Sequence, residues 1–153
     1  MSDLFTHLAA ARLPGALLSD RRVAALLVIG TFLPDLASKS LYWVALCSSD
    51  FKNPTHSPLG LLSVCYAASL FVVERLRRPA FAALYAGALL HVAVDLLKDN
   101  LGMGSAHLLY PFSTASTEFG LTGPDDVHVL LPIDLALLGL AWLVERKVRR
   151  VRE

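Results

Sequence analysis

Histidine and aspartate residues recur in this sequence at spacings that suit metal coordination. His91 and Asp95 are four residues apart in an apolar stretch, so a helix would place both side chains on one face. Metal-binding helices contribute two ligands in this way. The alternative is a hydrogen bond between the histidine and the aspartate that only ties two helices together. The pair taken alone leaves both interpretations open.

A further histidine, His56, lies between two prolines in residues 53–58. Prolines restrict the backbone on both sides of it, so this loop would hold the imidazole at the mouth of a helix bundle as a third ligand. The same residues suit a helix start, with Ser57 or Thr55 as the N-cap and Pro58 as the first helical residue. In that case His56 has no role of its own, although both interpretations can hold together.

Carboxylates inside apolar stretches are the other candidates. Asp35 follows Pro34, and Asp134 lies within the last apolar stretch. A charged side chain in the hydrocarbon region costs roughly 2.5–3.5 kcal/mol even on the mildest scale, so each is a candidate functional residue. The alternative for Asp35 is an ion pair with Lys39 one turn later, worth about 0.3–0.5 kcal/mol if it is exposed.

Composition indicates an integral membrane protein. The chain has 153 residues, of which 55% are hydrophobic and 18% charged, and residues 1–153 are predicted to form a single membrane-embedded domain. The formal net charge of +1 excludes a typical nucleic-acid-binding protein, which would be strongly basic. Cys47 and Cys65 lie in apolar stretches and are expected to be small packing residues.

Four stretches are long and apolar enough to be considered as membrane spans. They cover residues 23–33 resuming at 41–47, then 59–73, 81–97 and 127–144, with the first interrupted at Pro34-Asp35. Residues 4–18 predict a short helix, broken at Pro14-Gly15, that lies in the membrane interface or re-enters the bundle. The predicted fold class is therefore all-α, an integral membrane bundle of four to five helices.

Arginine-rich clusters predict the orientation of these spans. Such clusters precede the first span and follow the second and fourth, and four alternating spans place all of them in the cytoplasm. The loops at residues 48–58 and 99–126 then face outward. At about 1.5 Å per helical residue, Asp35, His91, Asp95 and Asp134 all lie roughly 16–22 Å from the cytoplasmic ends of their helices. Side chains from three helices are therefore expected to meet in the outer half of the membrane.

Five short motifs, taken together and in order, resemble a known family. They are Thr6-His7, Leu33-Pro34-Asp35, Thr55-His56-Ser57, the stretch from Leu90 to Asp95, and Tyr110-Pro111-Phe112-Ser113. Between about residue 3 and residue 135 the chain resembles the bacterial inner-membrane proteins grouped as membrane-bound metal-dependent hydrolases, the YdjM-like or DUF457 family. The order of the ligand residues is also similar to part of the zinc-binding set of bacterial phospholipase C and the related single-strand nucleases.

The resemblance implies a ligand set. Asp35, His56, His91 and Asp95 would form the main metal site, and His7 would belong to a neighbouring site that shares Asp95. The chain departs from the family where Asp35 is followed by Leu-Ala-Ser-Lys and where Asn53-Pro54 stands in place of His-Arg. These departures leave the number of metals open. His107 and His128 are possible additional ligands, with ordinary loop or helix-end histidines as the simpler interpretation.

The predicted function is metal-dependent hydrolysis. Mixed nitrogen and oxygen ligands favour zinc, with manganese or iron as alternatives. A bound metal would lower the pKa of a water toward about 7, and Asp35 or Asp95 would act as general base. Lys39 is expected to hold a phosphate, together with Lys52 and Lys98, unless these lysines are simply solvated at the interface.

The expected substrate is an ester or phosphoester in a membrane-associated molecule, on the external side of the bacterial inner membrane, with no nucleic-acid partner. Tyr110 and Phe112 would cover the site or form part of an aromatic belt at the interface. The alternatives are a metal-binding membrane protein with a structural or regulatory role and, less favoured because four spans are few, a small transporter.

Overall fold

The structure, a computed structural model, is helical throughout the regular elements it describes. It covers residues 4–44, 54–97, 107–115, 117, 119–123 and 126–152. The elements are α1 (Leu4–Leu17), α2 (Arg21–Val44), a 3-10 turn (Pro54–His56), α3 (Pro58–Ser69), α4 (Glu74–Leu96) and α5 (Val127–Arg152). The prediction of an all-α bundle of four to five helices is confirmed.

Three of the described helices are long and apolar enough to cross a membrane. The qualifying stretches are Arg21–Leu41 in α2, Glu74–Leu96 in α4 and His128–Val148 in α5. The predicted span at 59–73 differs, because α3 ends at Ser69 after 12 residues. At 1.5 Å per residue this helix is roughly 18 Å long, well short of a hydrocarbon core of roughly 30 Å. The apolar residues that follow it turn the chain back into α4 instead of extending α3.

Two prolines expected to interrupt helices lie inside continuous ones. Helix α1 continues through Pro14 to Leu17, and α2 continues through Pro34 to Val44. The predicted break at Pro14-Gly15 and the predicted interruption at Pro34-Asp35 are therefore wrong. A proline removes one backbone donor from a helix, and apolar helices packed against neighbours tolerate that loss.

Helix α1 lies within the bundle and contacts α2, α4 and α5. Its His7, Ala9 and Ala11 are each at most 5% exposed. Thr6 pairs with Asp134 and Arg12 with Glu145, so α1 and α5 run in the same direction. Of the two predicted placements of this segment, the structure shows the one inside the bundle.

Two glycines allow α2 and α4 to approach closely. A Cβ at Gly30 would collide with the backbone carbonyl of Leu84, and one at Gly87 would collide with the carbonyl of Leu27. Small residues at such a crossing let the two backbones touch, as is common in membrane helix pairs. The crossing lies about one turn below Asp35 on α2 and below His91 on α4. Close packing there brings these two side chains together from separate helices.

A small apolar core lies between α3 and α4. Its buried members are Leu61, Cys65, Leu84, Ala88 and Val92, with Leu108 packed against them. Cys65 is fully buried there, as expected of a packing residue, whereas Cys47 lies outside the described residues. This core fixes the start of α3 beside the upper half of α4.

Candidate metal centre

Helix α4 contributes His91 and Asp95 to a cluster of polar side chains. The two residues lie on one helix face, and His91 Nε2 is 3.0 Å from Asp95 Oδ2. The His91 side chain is only 1% exposed and that of Asp95 is 15% exposed. The four-residue spacing therefore places both groups where the helical periodicity predicted.

The 3-10 turn before α3 places His56 against this pair. His56 Nε2 is 3.3 Å from His91 Nε2 and 3.6 Å from Asp95 Oδ2. Ser57 is the N-cap of α3, since its Oγ accepts a hydrogen bond from the Gly60 N–H at 3.0 Å, and Pro58 follows as the first helical residue. Of the two predicted caps, Ser57 is the one observed, and the cap and the cluster exist side by side.

Thr55 has a role that the sequence did not indicate. Its hydroxyl lies 3.3 Å from His56 Nδ1 and donates to the backbone carbonyl of Pro34 at 3.2 Å. The fully buried hydroxyl thus links the turn to α2 next to Asp35 and orients the His56 ring through the nitrogen that faces away from the cluster. Such outer partners of a ligating histidine fix its tautomer and its position.

Helix α2 contributes Asp35 from a third direction. Asp35 Oδ1 lies 3.6 Å from His91 Nε2 and 3.7 Å from His56 Nε2. The side chain is 49% exposed, unlike the other members of the cluster. Lys39, one turn further along α2, is exposed and forms no ion pair with Asp35, so the alternative predicted for Asp35 is not observed.

Helix α1 brings His7 to the opposite side of Asp95. His7 Nε2 lies 3.3 Å from Asp95 Oδ1, and its ring stacks on that of His91 with centroids 4.1 Å apart and planes at 21°. The two oxygens of Asp95 therefore face different neighbours. Oδ1 faces His7, and Oδ2 faces His91 and His56.

These side chains form two overlapping groups that could hold a metal ion. One consists of Asp35, His56 and His91, the other of His7, His91 and Asp95, and in each the donor atoms lie within 4.8 Å of one another. Two carboxylates lie close together in this cluster, and a divalent cation bound among them and the imidazoles would offset the repulsion between the two negative charges. The donor set consists of nitrogen and oxygen atoms only, which suits a borderline metal ion.

Asp134 lies beside this cluster and takes a different partner. It is 3% exposed, and its Oδ2 accepts a hydrogen bond from Thr6 Oγ1 at 2.7 Å. It lies near the level of the cluster along the bundle, because Thr6 adjoins His7, but its carboxylate belongs to the contact between α1 and α5. The sequence singled out Thr6 only as part of a motif with His7 and did not indicate Asp134 as its partner, since the two residues are 128 positions apart.

The remaining predicted residues are not among the metal-capable groups of the described chain. His128 is exposed on α5, and His107 lies in the turn before Tyr110. Lys52 and Lys98 fall outside the described residues. Phe112 is 86% exposed, which fits an aromatic residue at the membrane interface.

A protein-family comparison identifies the chain. The family model described as YdjM inner membrane protein matches residues 1–151. The chain belongs to this family. Its members are inner membrane proteins by description, and three helices long enough to span agree with a membrane location. Comparisons with curated proteins and with solved structures gave no match.

Proposed function

We propose that this YdjM family protein is a membrane-bound metal-dependent hydrolase acting on an ester or phosphoester of a membrane-associated substrate. The observation that carries the proposal is the convergence of Asp35, His56, His91 and Asp95 from three separate segments. Five distances between their donor atoms lie between 3.0 and 3.7 Å. Three of these distances, at 3.6–3.7 Å, are too long for hydrogen bonds, so pairwise hydrogen bonding does not account for the whole arrangement.

The donor types and the spacing of the donor atoms are compatible with zinc as the metal. Zinc binds histidine nitrogen and carboxylate oxygen at about 2.0–2.2 Å, usually with tetrahedral geometry. The edge of a tetrahedron is 1.63 times the bond length, which gives about 3.3–3.6 Å between neighbouring donors. The five distances scatter around this range. Manganese is less favoured, because it prefers sites richer in oxygen ligands.

Uneven burial of the cluster supports catalysis over a purely structural site. His56 and His91 are nearly inaccessible, at 4% and 1% exposed, whereas the Asp35 side chain is 49% exposed. A structural zinc site is closed by protein on all sides, and a catalytic one keeps an open position. Access from the Asp35 side would let a substrate and a water reach the cluster.

The residues divide the chemistry among them. A metal held by these residues would supply a water of lowered pKa and would polarise the phosphoryl or carbonyl oxygen of the substrate. Asp35, at the accessible edge, takes a proton as general base, with Asp95 as the other candidate for that role. Asp95 holds the cluster together through both of its oxygens, and exposed Lys39 attracts the negative charge of a phosphoester. The site faces the external side of the inner membrane in the orientation that the arginine clusters predict.

Metal content of the purified protein tests the first half of the proposal. We expect wild type in detergent to retain zinc after dialysis and His91→Ala to retain at most about a tenth as much, measured by inductively coupled plasma mass spectrometry. His128→Ala is the matched control, because His128 is exposed on α5 and lies outside the cluster. Equal zinc contents in the two variants would show that the cluster does not bind metal.

Measurements of substrate turnover test the second half of the proposal, the hydrolase activity. Wild type is screened against phospholipids and other lipid esters with and without a chelator, and Asp35→Asn is compared on any substrate that is cleaved. We expect chelator-sensitive hydrolysis, and a loss of at least about 100-fold in kcat per bound zinc in the variant, since general bases contribute about 10²–10⁴-fold. The zinc content of the variant is measured alongside, because Asp35 is also a proposed ligand. Asp20→Asn, on the exposed segment before α2, serves as control.

A second candidate function is a metal-binding membrane protein without catalysis. The stacked rings of His7 and His91 and their burial favour it, because they close one side of the cluster. It predicts zinc retention and a chelator-induced loss of thermal stability, with no chelator-sensitive turnover on any lipid ester.

A further inference from the structure

A cavity lies at the end of the bundle opposite to the His/Asp cluster. It has a volume of about 280 Å³ and lies between α1, the start of α2 and the end of α5. Ala16, Ala24, Ala25 and Val28 form its apolar wall. Arg21 and Asp35 are 14 residues apart on α2, so roughly 21 Å separates the cavity from the cluster. The cavity and the His/Asp cluster have no residue in common.

Two arginines line this cavity. Arg12 Nη2 donates to Glu145 at 3.0 Å, which holds the guanidinium at the edge of the cavity. A guanidinium has five N–H donors, so this ion pair leaves Arg12 able to bind a further acceptor. Arg21 lines the cavity as well and lies at the first turn of α2, where the helix dipole also favours an anion.

An exposed tryptophan beside the cavity indicates that this end of the bundle lies at the membrane interface. Trp142 is 55% exposed on α5, and the guanidinium of Arg146 lies 5.3 Å from its ring centre. Exposed tryptophans paired with arginines mark the boundary between hydrocarbon and head groups. Glu145 adjoins this pair, so a bilayer whose interface lies at Trp142 would bring lipid phosphates to the charged edge of the cavity and the glycerol to its apolar wall.

We infer that this cavity binds the phosphate head group of an anionic phospholipid. The arginines would take the phosphate oxygens, and the alanine and valine wall would contact the glycerol backbone. Basic pockets between membrane helices bind anionic head groups in this way. A lipid head group and free inorganic phosphate both offer phosphate oxygens to the arginines. Inorganic phosphate would make no contact with the apolar wall.

Native mass spectrometry of the full chain in a non-ionic detergent tests the inference, with phosphatidylglycerol and phosphatidylcholine titrated in parallel. We expect wild type to bind one phosphatidylglycerol at least about tenfold more tightly than phosphatidylcholine. Arg21→Gln should weaken phosphatidylglycerol binding about fivefold. Arg22→Gln should change it less than twofold, because Arg22 is exposed next to Arg21 but does not line the cavity.

Two further measurements test whether the ligand is a lipid and whether it binds in this cavity. Ala24→Leu fills the apolar wall and should weaken phosphatidylglycerol binding while the helical circular dichroism spectrum is kept. Inorganic phosphate at millimolar concentration should not displace the lipid. Equal binding of the two lipids, equal effects of Arg21→Gln and Arg22→Gln, or displacement by inorganic phosphate would each overturn the assignment. None of these measurements depends on metal at the His/Asp cluster.

Discussion

At the scale of single residues, Asp95 joins the two halves of the candidate metal centre. Its Oδ1 faces His7 on α1, and its Oδ2 faces His91 and His56. A carboxylate can bind two metals or bind one metal while accepting a hydrogen bond from a neighbour. The second arrangement makes His7 a support of the main site, and the first makes it a ligand of a second site.

Replacement of His7 distinguishes these two arrangements. We expect His7→Ala to lower zinc content without abolishing it, because Asp35, His56 and His91 remain in place. A support role predicts an unchanged stoichiometry with zinc affinity weakened about 10–100-fold. A second site predicts that wild type holds two zinc ions and the variant one. Zinc titration with a competing chelator gives both numbers, and an unchanged stoichiometry together with an unchanged affinity would contradict both arrangements.

Asp134 is expected to stabilise the contact between α1 and α5 rather than to bind metal. Asp134→Ala leaves the Thr6 hydroxyl without its acceptor in a buried place and should cost about 1–3 kcal/mol. Asp134→Asn keeps an acceptor oxygen and should cost less. Thermal unfolding in detergent of both variants, and of each combined with Thr6→Val, measures the coupling. Asp134 has another role if Asn and Ala are equally destabilising and show no coupling to Thr6.

At the scale of elements, the start of α3 is a cap that also positions a candidate ligand. Ser57 accepts from the Gly60 N–H and donates to the Pro54 carbonyl at 2.8 Å. Both bonds fix the turn that contains His56. Capping and placement of the imidazole therefore depend on the same residue.

Ser57→Ala should therefore affect stability and metal binding together. Loss of an N-cap typically costs about 1 kcal/mol, and the freed turn should also weaken zinc binding. Ser63→Ala is the matched control, since Ser63 is exposed on the same helix and bonds only its own preceding turn. Unfolding temperature and zinc affinity are measured for both. Equal effects of the two substitutions would contradict this role of the cap.

The crossing of α2 and α4 is expected to be intolerant of a single methyl group. In Gly87→Ala the new Cβ meets the Leu27 carbonyl, so the helices must separate at a cost of about 1–3 kcal/mol. Separation would also move Asp35 away from His91 and lower zinc affinity. Gly139→Ala on α5 is the control, because no atom lies within 4 Å of its added Cβ. Thermal unfolding and zinc titration compare the two, and a neutral Gly87→Ala would contradict the close approach.

At the scale of the whole molecule, the bundle combines three long helices with two short ones. Helices α1 and α3 are 14 and 12 residues long, and both begin next to the His/Asp cluster. Their first turns carry or adjoin His7 and His56. A short helix that begins inside the bundle can present polar side chains from its first turn. A helix that spans the membrane has no end at that depth.

The orientation of the bundle is tested by labelling single cysteines in a variant without Cys47 and Cys65. Thr114→Cys should react with a membrane-impermeant maleimide in intact spheroplasts, whereas Ser19→Cys should react only after permeabilisation. Both positions are exposed in the described structure. The expectation follows from the arginine clusters, which favour the cytoplasm. The reverse pattern would place the His/Asp cluster on the cytoplasmic side.

Local features of this protein could be predicted from the sequence. The common face of His91 and Asp95 follows from helical periodicity, and the start of α3 follows from Ser57 and Pro58. The membrane location follows from composition, because a long apolar stretch indicates a membrane span whatever the rest of the chain contains. Each of these properties is determined within a single continuous stretch of the sequence.

The contacts between distant segments and the ends of the helices were decided by tertiary packing alone. Thr6 meets Asp134 across 128 residues of chain, and His7 reaches Asp95 only because α1 lies among α2, α4 and α5. The passage of α2 through Pro34 and the early end of α3 likewise belong to the packed bundle. Propensity and spacing describe a segment by itself. Contacts between distant segments depend on which surfaces bury each other, and that is determined only when all the helices are assembled.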